Sequence, residues 1–111
     1  MAYDEDLANR IRALVAAEEG LTEMRMFGGL AFLINGNMAV AASGKGGLLL
    51  RVDPVRTETL AAEPHAGPFE MRGKSMNGWL RVDPAGLGTA RGLKTWVTRG
   101  VAYARSLPPT R

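Results

Sequence analysis

Residues 24–42, MRMFGGLAFLINGNMAVAA, constrain the fold more than any other stretch, because an apolar run, a glycine pair and a turn signal coincide there. Phe32 and Ile34 fall on one side of an extended segment, with Ala31 and Leu33 on the other, and Asn35-Gly36-Asn37 follows at once. Asn and Gly tolerate positive φ, so this tripeptide predicts a hairpin. Met38 and Val40 continue the alternation as far as Ser43-Gly44-Lys45-Gly46-Gly47, a second turn, which leads into the apolar segment 48–52. The expectation is a three-strand meander. Gly28-Gly29 reads as a bulge or bend that a Cβ would obstruct.

On either side of the meander the periodicity changes. Leu7, Ile11, Leu14 and Val15 stand at i, i+4, i+7 and i+8, behind Asp4, Glu5 and Asp6, whose charges suit a helix N-terminus. This predicts an amphipathic helix over 4–19, stopped at Gly20. Asp53-Pro54 supplies a cap and a first helical residue for a short second helix to Glu63. Short strands are expected at 69–72 and 78–82, separated by a polar turn over 73–77. Leu50-Arg51-Val52-Asp53-Pro54 recurs as Leu80-Arg81-Val82-Asp83-Pro84, which marks two strand-to-helix junctions with the same cap. Thr89 is placed to cap a last helix to Ser106, with Leu93, Trp96, Val97, Gly100, Ala104 and Leu107 on one side and Arg91, Lys94, Arg99 and Arg105 on the other. The order α-β-β-β-α-β-β-α predicts an α+β two-layer sandwich, one mainly antiparallel sheet with helices packed mainly on one face. The other face is then partly polar or covered by a partner. The expected core is Leu7, Ile11, Leu14, Phe27, Phe32, Leu49, Leu80, Leu93, Trp96 and Val97.

Met26-Phe27-Gly28-Gly29, the turn at Gly36, the LLLRVD segment, the Pro68-Phe69 pair, GWLRVDP and Trp96 in the last helix occur in an order that resembles the N-terminal domain of the TfoX family of bacterial competence regulators. The resemblance spans nearly the whole chain. It implies the same α+β architecture and a regulatory, protein-binding role in a bacterial cytoplasm. The full-length regulators resemble a chain with a second, C-terminal domain. The 111 residues here fit one domain, so a stand-alone N-terminal-type domain over 1–111 is expected.

Composition narrows the chemistry. With no cysteine and one histidine, disulfides, thiolate metal sites and the usual zinc constellations cannot be assembled. The acidic start is unlike a secretory signal and no apolar run approaches the length of a membrane span, so a soluble cytoplasmic protein without a membrane partner is expected. Gly86-Leu87-Gly88-Thr89-Ala90-Arg91-Gly92 lacks the second strand and the acid of a dinucleotide loop, and the turn at 43–47 lacks a P-loop's first glycine and its hydroxyl residue. His65, Ser43 and Ser75 have no converging partners. No catalytic, cofactor or metal residues are assigned, and the chain is not expected to be an enzyme. Met24, Met26, Met38, Met71 and Met76 could form an adaptable binding surface, but their strand-like positions read as core filling.

Charge is uneven. From Arg72 onward there are eight basic residues against one acid, a balance of +7, whereas the first 71 residues carry six against ten, or −4. Candidate contacts for an acidic partner or polyanion are Arg51 and Arg81, each between apolar neighbours that face the core, with Lys74, Arg91 and Lys94 from the basic third. The expected partner is another protein, with nucleic acid bound weakly through the basic third as the second reading. The sequence names neither the partner nor an oligomeric state.

Overall fold

Asn35 (φ 52°) and Gly36 (φ 84°) both adopt the left-handed conformation, as does the later pair Arg72 (φ 55°) and Gly73 (φ 79°). Two-residue turns of this kind match the twist of antiparallel strands, and they close two of the hairpins. The computed structural model describes residues 3–26 and 28–110. Helix α1 (Glu5–Val15) is followed by strands β1 (Leu21–Met26), β2 (Gly29–Ile34), β3 (Asn37–Ala42) and β4 (Leu48–Arg51). A 3₁₀ turn (Pro54–Arg56) and helix α2 (Thr57–Ala61) come next, then β5 (Ala66–Met71), β6 (Lys74–Val82), a 3₁₀ turn (Pro84–Leu87) and helix α3 (Ala90–Ser106). All six strands form one antiparallel sheet in the order β1-β2-β3-β4-β6-β5.

The α+β class and the sheet packed by helices agree with the sequence, with one strand more than expected. Residues 21–26 form an edge strand, and of the bulge or bend expected at Gly28-Gly29 the chain makes the bend, with Gly28 (φ 74°) in the reversal to β2. As an edge strand it leaves Thr22, Glu23, Met24 and Arg25 exposed, so it lacks the buried alternation that announces a strand. The polar turn expected at 73–77 shrinks to Arg72-Gly73. Lys74 to Asn77 are strand residues of an exposed hairpin arm, and Lys74, Ser75 and Asn77 are polar there because no layer covers them.

Caps act as the residue types predict. The Asp4 carboxylate accepts a hydrogen bond from Leu7 N at 3.1 Å, and Thr89 Oγ1 accepts one from Gly92 N at 3.0 Å. The repeated pentapeptide, however, is used in two ways. Asp53 caps its turn by accepting from Val55 N, whereas Asp83 makes no cap bond and turns its carboxylate to Arg81.

Between helices and sheet lies the main core, with Leu7, Ile11 and Val15 of α1, Phe32, Val40, Leu48, Leu50, Leu80 and Val82 of the sheet, and Leu93, Trp96 and Val97 of α3. Leu14 is 38 % exposed, contrary to expectation. At about 100° per residue the buried arc of α1, Leu7-Ala8-Ile11-Val15, centres between Ile11 and Val15, so Leu14 falls on its border. Phe27, also expected in the core, lies outside the described residues. In β3 a bulge opposite the Phe32/Leu33 step turns Val40 toward the helices and Met38 away from them, so these two residues do not share a face as simple alternation requires.

Arg12 of α1 ties the helix to the edge strand through two hydrogen bonds to Glu23, at 2.8 and 2.9 Å. These bonds hold the Glu23 carboxyl below its ordinary range. Its contribution to stability is therefore present above the unfolded carboxyl's pKa of about 4.3 and is lost as pH falls through the lower folded value. With both side chains well exposed, salt screens the pair. Glu23→Gln is expected to lower the melting temperature slightly at pH 7. The gap to the parent should close on acidification or in 1 M salt, and a gap that survives acid would show that something other than the ion pair was lost.

Candidate functional site

The sheet face turned away from the helices is apolar. Ala31, Leu33, Met38, Ala41 and Leu49 are buried there although no helix covers them, and Met26, Phe69 and Trp79 pack against them. The twist of the sheet explains the shelter. Five spacings of about 4.8 Å would put β1 and β5 roughly 24 Å apart in a flat sheet. Yet Met26 of β1 and Phe69 and Met71 of β5 line one groove of about 260 Å³. Through the strand register Met26 and Met71 belong to diagonally opposite corners, whereas the other diagonal, Leu21 and Ala66, packs on the helix-side core. A twisted sheet is a saddle: one pair of corners bends toward the helices and the other pair toward the opposite side. Leu49 forms the floor of the resulting groove, with Met38, Met76 and Trp79 on its walls.

The methionines expected to fill the core thus divide. Met38 is buried, Met26 and Met71 are half-buried, Met76 is 37 % exposed, and Met24 on the same face is 51 % exposed. Unbranched thioether side chains at a half-open surface repack around different shapes at small cost. The expectation of a partly polar far face fails on its polar half. A signal for this was present in the sequence: GLAFLI and NMAVAA are apolar at almost every position, the pattern of strands with both faces out of water, and not the alternation of a half-exposed sheet.

The arginines of the repeated pentapeptide flank this face. Arg51 lies opposite Trp79 in the β4–β6 register, and Arg81 opposite Leu49. The Arg51 guanidinium is 5.7 Å from the Trp79 ring centroid and 5.8 Å from that of Tyr103 in α3, so aromatic faces hold it at the end of the sheet. Arg81 is tied down differently, donating to the Asp83 carboxylate and, at 2.9 Å, to the Gly46 carbonyl. Lys74 is exposed and opposite Met71 in the β5–β6 hairpin, on the groove side. Among the described residues Arg51 and Lys74 make no ion pair.

Arg91 and Lys94 are not part of this arrangement. They sit on the solvent side of α3, across the sheet, beside a broad depression of about 470 Å³ shared with Thr95, Thr98 and Arg99. The basic face of α3 is also partly neutralised, because Arg99 bonds Glu63 at 2.9 Å and Arg105 bonds Glu18 at 2.8 Å. Of the five candidate cations, Lys74 stands exposed on the groove side, Arg51 and Arg81 are held beside it by aromatic rings and by Asp83 and Gly46, and Arg91 and Lys94 lie on the far layer.

The family model of the TfoX N-terminal domain matches residues 13–104, most of the chain. The chain belongs to the TfoX N-terminal domain family. No curated protein and no solved structure matches it. In this TfoX N-terminal domain no described helix is long and apolar enough to cross a membrane, and no three His, Cys, Asp or Glu side chains gather among the described residues. His65 stands in a loop with φ 65°, its carbonyl accepting from Asp83 N. The matched segment contains the whole groove of the TfoX N-terminal domain and all five candidate cations.

Proposed function

We propose that this TfoX N-terminal domain is a non-enzymatic, regulatory protein-binding module that docks its partner on the open sheet face. The observation that carries the reading is the groove itself: seven apolar side chains, four of them methionine, line a cleft on a sheet face that no other element among the described residues covers. Burying such a face in a partner yields roughly 25 cal/mol per Å² of apolar surface removed from water. Nothing polar converges within the groove to activate or orient a reacting group, as a catalytic pocket requires.

The nucleic-acid reading draws on fewer groups. Two of the four basic residues along α3 are already paired with acids, and Trp96 is buried in the core and cannot stack on a base. The test is capture of partners from a cell extract by the parent and by Met76→Glu, with and without nuclease. The proposal expects a protein retained after nuclease treatment and reduced at least tenfold by Met76→Glu, whose exposed position in the hairpin arm tolerates the charge. Retention that disappears with nuclease, or is indifferent to Met76→Glu, rejects it.

A further inference from the structure

Resting on that reading, we infer that the occupant of the groove is an amphipathic α-helix of another protein, with an apolar stripe flanked by acidic residues. Backbone chemistry selects the helix. Under the floor of the groove β4 is hydrogen-bonded on both sides, to β3 and to β6, and the side chains that line the groove are apolar, so the floor offers an incoming chain no donors or acceptors. An extended segment laid across it would bury unpaired N–H and C=O groups, whereas a helix satisfies its own. An extended segment would instead add to the outer edge of β1 or β5, the strands that border the groove, and leave its floor open.

Charge selects the flanks. Lys74 stands exposed on the groove side, Arg51 reaches the end of the sheet between Trp79 and Tyr103, and Arg81 is spent on Asp83 and the Gly46 carbonyl. Acidic residues beside the stripe would meet Arg51 and Lys74, neither of which has an ion-pair partner among the described residues. The same rim disfavours a second copy of this chain, since apposing two such faces sets like charges against one another. It also disfavours a basic helix. A small ligand fits poorly for a different reason: about 260 Å³ lies below the usual range of such sites, and no polar group points inward to fix its orientation.

The test is selection of a displayed library of random 16-residue peptides on the immobilised full chain, followed by anisotropy titration of the enriched peptides. The expected sequences carry apolar residues at i, i+3 or i+4, and i+7 with Asp or Glu alongside, and become helical on binding. Exchanging their acids for lysine should weaken binding at least tenfold. Lys74→Glu should reproduce much of that loss without unfolding the exposed hairpin, and Met76→Glu should abolish binding. Enrichment of basic or alternating sequences overturns the inference, and if those peptides are still lost with Met76→Glu, the docking surface stands while the helix falls. Peptides indifferent to Lys74→Glu, no enrichment at all, or a dimer in sedimentation that Met76→Glu dissociates each overturn it as well.

Discussion

Replacing Trp96 with alanine is expected to remove about 3 to 5 kcal/mol of stability, the range for truncating a buried aromatic residue. The indole is 5 % exposed, in the centre of α3 between Leu93 and Val97, and it faces the sheet across the main core. A single domain has roughly 5 to 15 kcal/mol in total, so the loss would take at least about a fifth of it. A second effect adds to the cavity. The Arg99 guanidinium rests 4.6 Å from the ring centroid while it bonds Glu63 at the end of α2. Without the ring, Arg99 loses the surface that holds it toward α2. Urea unfolding, compared at unchanged dependence on denaturant, measures the difference. A loss below about 1 kcal/mol would place the side chain at the surface and contradict the packing of α3. Trp96→Phe should recover most of the loss, because a smaller cavity remains.

Gly100→Val should cost about 3 kcal/mol, at the upper end of the overpacking range, through a clash with backbone. A Cβ at Gly100 would stand 2.5 Å from the Ala39 carbonyl oxygen and 2.7 Å from Val40 Cγ1. Ala39 is the extra residue of the β3 bulge, and Gly100 lets α3 seat directly on it. Valine is somewhat better than glycine in a helix, but that gain is a few tenths of a kcal/mol and does not offset a displaced strand. Gly88→Ala is the control: its φ is −70° and nothing lies within 4 Å of an added Cβ, so stability should stay level or rise slightly. If Gly100→Val unfolds no more easily than Gly88→Ala, α3 does not sit on the bulge as described. The bulge is also what directs Met38 into the groove, so disturbing it should weaken partner binding as well as the fold.

Local chemistry made much of this fold legible in the sequence. Asn35-Gly36 determined a hairpin because both residues accept left-handed backbone. Asp4 and Thr89 determined helix starts because their side chains meet orphaned N–H groups within three residues. The stripe along α3 determined which side of that helix is buried. Each depends on interactions between residues close in the chain. What the tertiary structure decided depends on distance in sequence. Arg51 and Arg81 occupy identical pentapeptides, yet one ends between aromatic rings from β6 and α3 and the other on Gly46 and Asp83, because different elements neighbour the two strands. The bulge that separates Met38 from Val40 arises from pairing with β2, and no alternation count reveals it. The groove exists because the twist of six strands brings opposite corners of one sheet toward each other, which gathers residues as far apart as Met26 and Trp79 around Leu49. Sequence alone determined that these side chains are apolar; only the saddle shape decided that they form a cleft open to a partner instead of a closed core.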